Sequence, residues 1–117
     1  MDQKIVILQE KLQHIVDSTI NLDFPWLTTF EEKQLILQCE KNKVETQIGK
    51  LLKSYGFEQV WNTIDFLSLW MQADMEARRQ FGNLNEEQML NGFYFQEVMH
   101  RYSELLIKAI MAKINFD

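Results

Sequence analysis

The apolar residues of this chain recur at one spacing, the three-and-four spacing of an amphipathic α-helix. In the first segment this spacing places a seam of side chains on one face of a helix, and no part of the chain alternates apolar and polar residues as a half-buried strand does. The pattern therefore predicts an all-α fold. The seam of the first segment consists of Ile5, Leu8, Leu12, Ile15, Thr19 and Leu22.

Two helices are predicted in the first half of the chain, each with signals at its ends. The first covers about residues 3–21 and ends before Pro25, because the residue that precedes a proline avoids helical geometry. The second covers about residues 30–54. It begins after Thr29, whose hydroxyl suits a capping box, and it ends before Gly56, which suits the C′ position of a helix.

Two further apolar segments follow. The third helix is predicted over about residues 57–80, and the fourth over about residues 86–114 after an N-cap at Asn85. The third is apolar around most of its circumference, so we expect it to be the most buried element. Because short connections force neighbouring helices to run antiparallel, the sequence predicts a single domain over residues 1–117, arranged as an up-down four-helix bundle.

Length and charge restrict the function. A chain of 117 residues, 46% of them hydrophobic, is long enough for one independently folding domain and too apolar to be disordered. Its 17 acidic residues outnumber its 12 basic ones, for a net charge of -5. Since proteins that bind phosphate backbones are usually basic, we expect no direct contact with nucleic acid and a basic protein partner instead.

Cys39 is the only cysteine, so an intramolecular disulfide cannot form and a reducing compartment is indicated. We expect the Cys39 side chain to be a small buried filler. The first residues lack the basic start and the apolar length of a signal peptide, and no stretch is apolar enough for a membrane span. A cytoplasmic protein without membrane contact is predicted.

Motifs for catalysis or for cofactor binding are missing from the sequence, which has no nucleophile elbow, no phosphate-binding glycine loop and no cysteine pair. Glu97 and His100 have the Glu-x-x-His spacing of di-iron bundles, but such a site needs a second pair, which this chain lacks. Ion pairing on a helix surface is the preferred interpretation. We therefore predict no enzymatic activity, no metal and no cofactor.

Asp74 extends the apolar stripe of the third helix one heptad beyond Leu67, and Arg78 follows Asp74 one turn later on the same side. One interpretation is a partly buried ion pair that fixes the helix register or faces a cleft. The other is that the stripe reaches the end of the bundle there and both charged groups lie in water. The sequence leaves both interpretations open.

Function is predicted from surface chemistry, since no motif points to it. We expect a stoichiometric binding protein, such as an immunity protein, an antitoxin or another inhibitor, that neutralises a basic partner through an acidic face with aromatic anchors. The alternative is a structural subunit or self-associating helical adaptor, such as a homodimer, in which another copy or another protein covers the apolar third helix. The predicted contact residues are Asp65, Asp74, Glu76, Trp70 and Tyr94.

Overall fold

A computed structural model describes residues 3–19, 29–82 and 93–116, of which 91% are helical, and no strand occurs among them. The all-α prediction is confirmed. The described helices are α1 (Gln3–Ser18), α2 (Phe30–Ser54), α3 (Glu58–Asn62), α4 (Phe66–Phe81) and α5 (Phe93–Phe116).

The ends of α2 carry the predicted caps, and its predicted range is confirmed. The Thr29 hydroxyl accepts a hydrogen bond from the Glu32 amide at 3.2 Å, which satisfies one of the amides left free in the first turn. At the other end Gly56 has a φ of +83°, and the amides of Gly56 and Phe57 donate back to carbonyls of the last turn. This is a Schellman ending, which requires a left-handed residue, and glycine adopts that conformation without strain.

The third predicted helix is wrong as a single element, because the structure divides it into α3 and α4 at residues 63–65. The Thr63 hydroxyl donates to the Val60 carbonyl at 2.8 Å, and the Asp65 carboxylate accepts from the Ser68 amide at 3.1 Å. Short polar side chains that bond to nearby backbone compete with a continuous helix. The described part of the chain therefore has five helices where four uninterrupted ones are predicted in all.

The core is built around α5, which contacts each of the other four described helices. The expectation that the third predicted helix is the most buried element is therefore wrong, since the apolar residues of α5 line the shared interior from one end to the other. The buried apolar side chains of α5 are Tyr94, Phe95, Val98, Met99, Tyr102, Leu106, Ile107, Ile110, Met111 and Ile114.

Gly49 allows α3 to lie close against α2. A Cβ atom at this position would lie 2.9 Å from Trp61 Nε1, closer than a nonbonded carbon normally approaches. The Trp61 ring in turn packs edge-on against Phe66, with 4.7 Å between the ring centres. The absence of a side chain at Gly49 thus leaves the space that the Trp61 ring occupies, close to the break between α3 and α4.

Cys39 is exposed on α2, so the prediction of a buried filler is wrong. It lies two residues after the buried Leu37, and two residues turn a helix by about 200°, so the two side chains point to opposite sides. None of the described helices is both long and apolar enough to cross a membrane.

Several predictions concern residues outside the described ranges. These are the end of the first predicted helix beyond Thr19 and the start of the fourth predicted helix, with its N-cap at Asn85. Within the described part, α5 continues slightly past the predicted end of the fourth helix, to Phe116.

Candidate protein interface

The outer side of α4 carries three large apolar side chains. Leu67, Met71 and Met75 follow one another at intervals of four residues, so they form a stripe along the helix, and their exposed fractions are 69%, 62% and 56%. The opposite side of α4 carries the fully buried Ala73 and Ala77. These exposed side chains are a further reason why the third predicted helix is not the most buried element, since it is the side with the small alanines that lies against the core.

We call this surface the α4 outer face. It borders an open depression of about 770 Å³. An apolar centre surrounded by polar side chains is the usual anatomy of a protein–protein contact surface. The stripe of Leu67, Met71 and Met75 forms its centre, and among the described residues its polar border includes Asp65, Ser68, Gln72, Asp74, Glu76, Arg78 and Arg79.

Asp74 lies on this border within a small cluster of polar groups. Arg78 Nε donates to both carboxylate oxygens of Asp74, at 3.2 and 3.0 Å, and the Tyr94 hydroxyl donates to the same carboxylate. The side chains of Asp74 and Arg78 are 35% and 48% exposed, respectively. Water therefore reaches both members of the ion pair, while the Tyr94 hydroxyl holds the Asp74 carboxylate from the core side. This arrangement is intermediate between the buried pair and the fully solvated pair that the sequence left open.

Tyr94 contacts the polar cluster of Asp74 and Arg78 from the core side. It is buried, its ring packs against Phe95 with 5.2 Å between the ring centres, and the Arg78 guanidinium lies 5.3 Å from the centre of the Tyr94 ring. The structure thus places this predicted contact residue in the core, where it orients Asp74 and adds little surface of its own.

Asp65 and Glu76, the other two predicted carboxylates, border the α4 outer face, and each is already bonded within the chain. Asp65 caps α4 by accepting from the Ser68 amide. Glu76 accepts from Gln72 at 3.1 Å and from Arg101 of α5 at 3.4 Å. The structure therefore brings Asp65, Asp74 and Glu76 to one surface, as border groups whose charge is partly neutralised.

Trp70 lies on a different side of α4. Its ring meets that of Tyr102 edge-on, at 4.9 Å and 89°, and the Lys41 ammonium lies 5.3 Å from the Trp70 ring centre. The Tyr102 hydroxyl donates to Glu45. Burial, the hydrogen bond to Glu45 and the negative charge of Glu45 all raise the pKa of Tyr102. Trp70 therefore joins α4 to an internal cluster and does not border the α4 outer face.

A second polar group joins α4 to α5. Arg101 Nε donates to Glu97 at 2.7 Å, and the other guanidinium nitrogens bond to Glu76 and Gln80. Burial lowers the pKa of Arg101, but hydrogen bonds with Glu97 and Glu76 and their negative charges outweigh it, so the pKa of Arg101 is raised. This network fixes α4 against α5 on the side next to its outer face.

Glu97 and His100, the pair with di-iron spacing, bond to different groups. His100 Nε2 lies 2.6 Å from a carboxylate oxygen of Glu104, and His100 Nδ1 lies 3.2 Å from the Thr19 hydroxyl, whereas Glu97 pairs with Arg101. Among the residues that the structure describes, no group of three or more His, Cys, Asp and Glu side chains is arranged to hold a metal ion.

Sequence reasoning missed the exposure of Leu67, Met71 and Met75. A signal for it is present in the sequence, since the polar residues Ser68 and Arg79 fall on the same side of a helix that begins at Phe66.

Comparisons of the chain with protein-family models, with curated proteins and with solved structures give no match.

Proposed function

We propose that this chain is a non-catalytic helical binding protein and that its α4 outer face contacts a protein partner. The observation that carries the proposal is the exposure of Leu67, Met71 and Met75 in one continuous row beside a depression. Single exposed apolar residues are ordinary, whereas contiguous apolar patches with a polar border are typical of interaction sites.

A structural subunit or self-associating helical adaptor is the form of this function that the geometry supports best. The centre of the α4 outer face is apolar, and its carboxylates already have partners within the chain: Asp65 bonds to the Ser68 amide, Asp74 to Arg78, and Glu76 to Arg101. A partner would therefore gain most of its binding free energy by covering the methionines, because this free energy is proportional to the apolar area removed from water. Such a contact does not require an unpaired charge on this chain.

Inhibition of a basic protein, in the manner of an immunity protein or an antitoxin, is the second candidate. It is favoured by the three predicted carboxylates Asp65, Asp74 and Glu76, which border one surface on a chain of net charge -5. Lysine and arginine side chains of a partner would bind these carboxylates while an apolar side chain covers Met71. We also propose that the protein is cytoplasmic and that its successive helices run antiparallel, up and down.

A pull-down from lysate of the native host tests the proposal with tagged wild-type protein, a Met71→Glu variant and a Leu35→Glu control. Leu35 is a matched position, because it is 68% exposed but lies on α2, away from the α4 outer face. We expect mass spectrometry to identify one dominant protein that Met71→Glu loses and Leu35→Glu retains. Equal recovery by all three proteins would show that the α4 outer face is not the contact surface.

Salt then separates the two candidate functions. Exposed charge pairs are screened at high ionic strength, whereas apolar contacts are not. Loss of a basic partner at high salt would favour the inhibitor, and retention of a partner, or recovery of this same chain, would favour the subunit or adaptor.

A further inference from the structure

We propose that the molecule covering the α4 outer face is a second copy of this chain, with the two α4 helices antiparallel and crossing at Met71. The inference rests on the proposed function, which makes the α4 outer face a contact surface. It adds the identity of the partner and the register in which the two helices meet.

The apolar stripe is complementary to itself in this register. A twofold axis at Met71 places residues that are equally far from Met71, on opposite sides of it, against each other. Met71 then meets Met71 of the second copy, and Leu67, four residues before the axis, meets Met75, four residues after it. The three large side chains that α4 exposes among its described apolar residues are all covered, and the flexible methionines can adapt to the contact.

The charges at the two ends of α4 favour the same arrangement. Asp65 lies at the start of the helix and Arg78 lies near its end. Asp65 lies six residues before Met71 and Arg78 lies seven residues after it, so an antiparallel pair centred on Met71 brings these two opposite charges of different copies to nearly the same height along the helices, at both ends of the contact. Antiparallel helices also place the positive end of each helix dipole beside the negative end of the other.

Like charges do not oppose each other in this register. Asp74 lies at the height of the uncharged Ser68 of the second copy, and Arg79 lies beyond the first residue of its α4. A parallel pair in register would instead set Asp74 against Asp74 and Arg78 against Arg78, and like charges in direct opposition are unfavourable. The distribution of charge along α4 therefore selects the antiparallel pair.

The contact between the two α4 helices is short. α4 has 16 residues, so it is about 24 Å long, and one pair of such helices gives an interface at the small end of the range for specific complexes. The dimer is expected to be reversible and to depend on concentration. Because its centre is apolar, it is expected to persist at high salt.

Disulfide cross-linking tests the register. In a Cys39→Ser background, we expect Met71→Cys to form a covalent dimer on mild oxidation, because residue 71 lies on the twofold axis. Leu67→Cys alone should stay monomeric, because the two copies of residue 67 are about 12 Å apart along the helices, beyond the reach of a disulfide. A mixture of the Leu67→Cys and Met75→Cys proteins should form a mixed dimer. Leu35→Cys in the same background is the exposed control that should not cross-link.

Sedimentation of the intact chain provides the second measurement. From about 1 to about 100 μM, a range suited to a weak dimer, we expect the wild-type mass to rise from 14.0 kDa towards twice that value. Met71→Glu should remain at 14.0 kDa, and Leu35→Glu should follow the wild type. Both substituted side chains, Met71 and Leu35, are exposed, so circular dichroism is expected to show folded variants.

The second copy would be overturned as the partner if the wild-type protein stays monomeric over the whole concentration range and the Met71→Cys variant forms no covalent dimer. Cross-linking of Leu67→Cys with itself would overturn the antiparallel register. Neither result decides the proposed function, which the lysate experiment tests separately. If the wild type captures a protein other than this chain and the Met71→Glu variant does not, the α4 outer face is still supported as a contact surface.

Discussion

The Tyr102 hydroxyl of α5 donates a hydrogen bond to the Glu45 carboxylate of α2, and Lys41 pairs with the same carboxylate at 3.0 Å. The Lys41 ammonium also lies 5.3 Å from the centre of the Trp70 ring and 5.6 Å from that of Tyr102. Side chains from α2, α4 and α5 thus meet in one cluster. Trp70, which the sequence predicts as a contact residue, belongs to this cluster and stabilises the fold.

Removal of the Tyr102 hydroxyl tests the cluster. We expect Tyr102→Phe to lower the free energy of unfolding by about 1–2 kcal/mol, because Glu45 loses a donor while the ring packing against Trp70 is retained. Urea denaturation measures the change. Tyr55→Phe is the matched control, since the Tyr55 hydroxyl makes no hydrogen bond within the described part of the chain, and an equal loss in both variants would contradict this role for Tyr102.

The raised pKa of Tyr102 predicts a loss of stability at high pH. Tyrosine in the unfolded chain ionises near pH 10, whereas buried Tyr102 holds its proton to higher pH. The stability associated with this group is therefore fully present below about pH 10 and is lost as the pH rises above that value. Urea midpoints measured between about pH 8 and pH 11 should fall more steeply for the wild type than for Tyr102→Phe. Parallel curves would show that another group is responsible.

Substitution of Asp74 measures how much its partly exposed ion pair contributes. We expect Asp74→Ala to cost about 1 kcal/mol, well below the roughly 3 kcal/mol expected when a buried pair is broken, because water reaches both Asp74 and Arg78. Asp74→Asn should cost less than Asp74→Ala, because its amide oxygen can still accept from the Tyr94 hydroxyl. Urea denaturation, which does not screen the ion pair, distinguishes the two variants, and a loss of several kcal/mol for Asp74→Asn would assign the main role to the charge.

The cap of α4 gives a prediction for Asp65. We expect Asp65→Ala to reduce the stability by about 1 kcal/mol, since the Ser68 amide loses its acceptor, and we expect Asp65→Asn to remain close to the wild type. Thermal unfolding followed by circular dichroism provides the measurement. Similar losses in both variants would mean that the negative charge, and not the cap, is what α4 requires.

The close contact between Gly49 and Trp61 predicts that Gly49→Ala is destabilising. Alanine gains about 1 kcal/mol in helix propensity, but overpacking against the tryptophan ring costs more, so we expect a net loss of about 1–2 kcal/mol. Chemical denaturation measures the change. In a Trp61→Ala background the same substitution should become stabilising, and a loss that persists there would exclude the tryptophan as its cause.

The helical class and several helix ends could be predicted because they depend on residues close in sequence. The spacing of apolar residues predicts helices, and the Thr29 cap and the Gly56 ending lie where their local chemistry places them. Asp65 is predicted as a contact residue, but aspartate is also a favoured N-cap, and in the structure its carboxylate starts α4. This local signal marks the point at which the third predicted helix divides.

The spacing of apolar residues shows that the third predicted helix is apolar on more than one side, whereas the side that is covered follows from how the helices pack. Periodicity shows that stripes exist and does not rank them when two are available. The small side chains of Ala73 and Ala77 are buried in the core, which leaves Leu67, Met71 and Met75 outside. Burial depends on the shape of the surface that a helix meets, and that surface is formed by residues distant in the sequence.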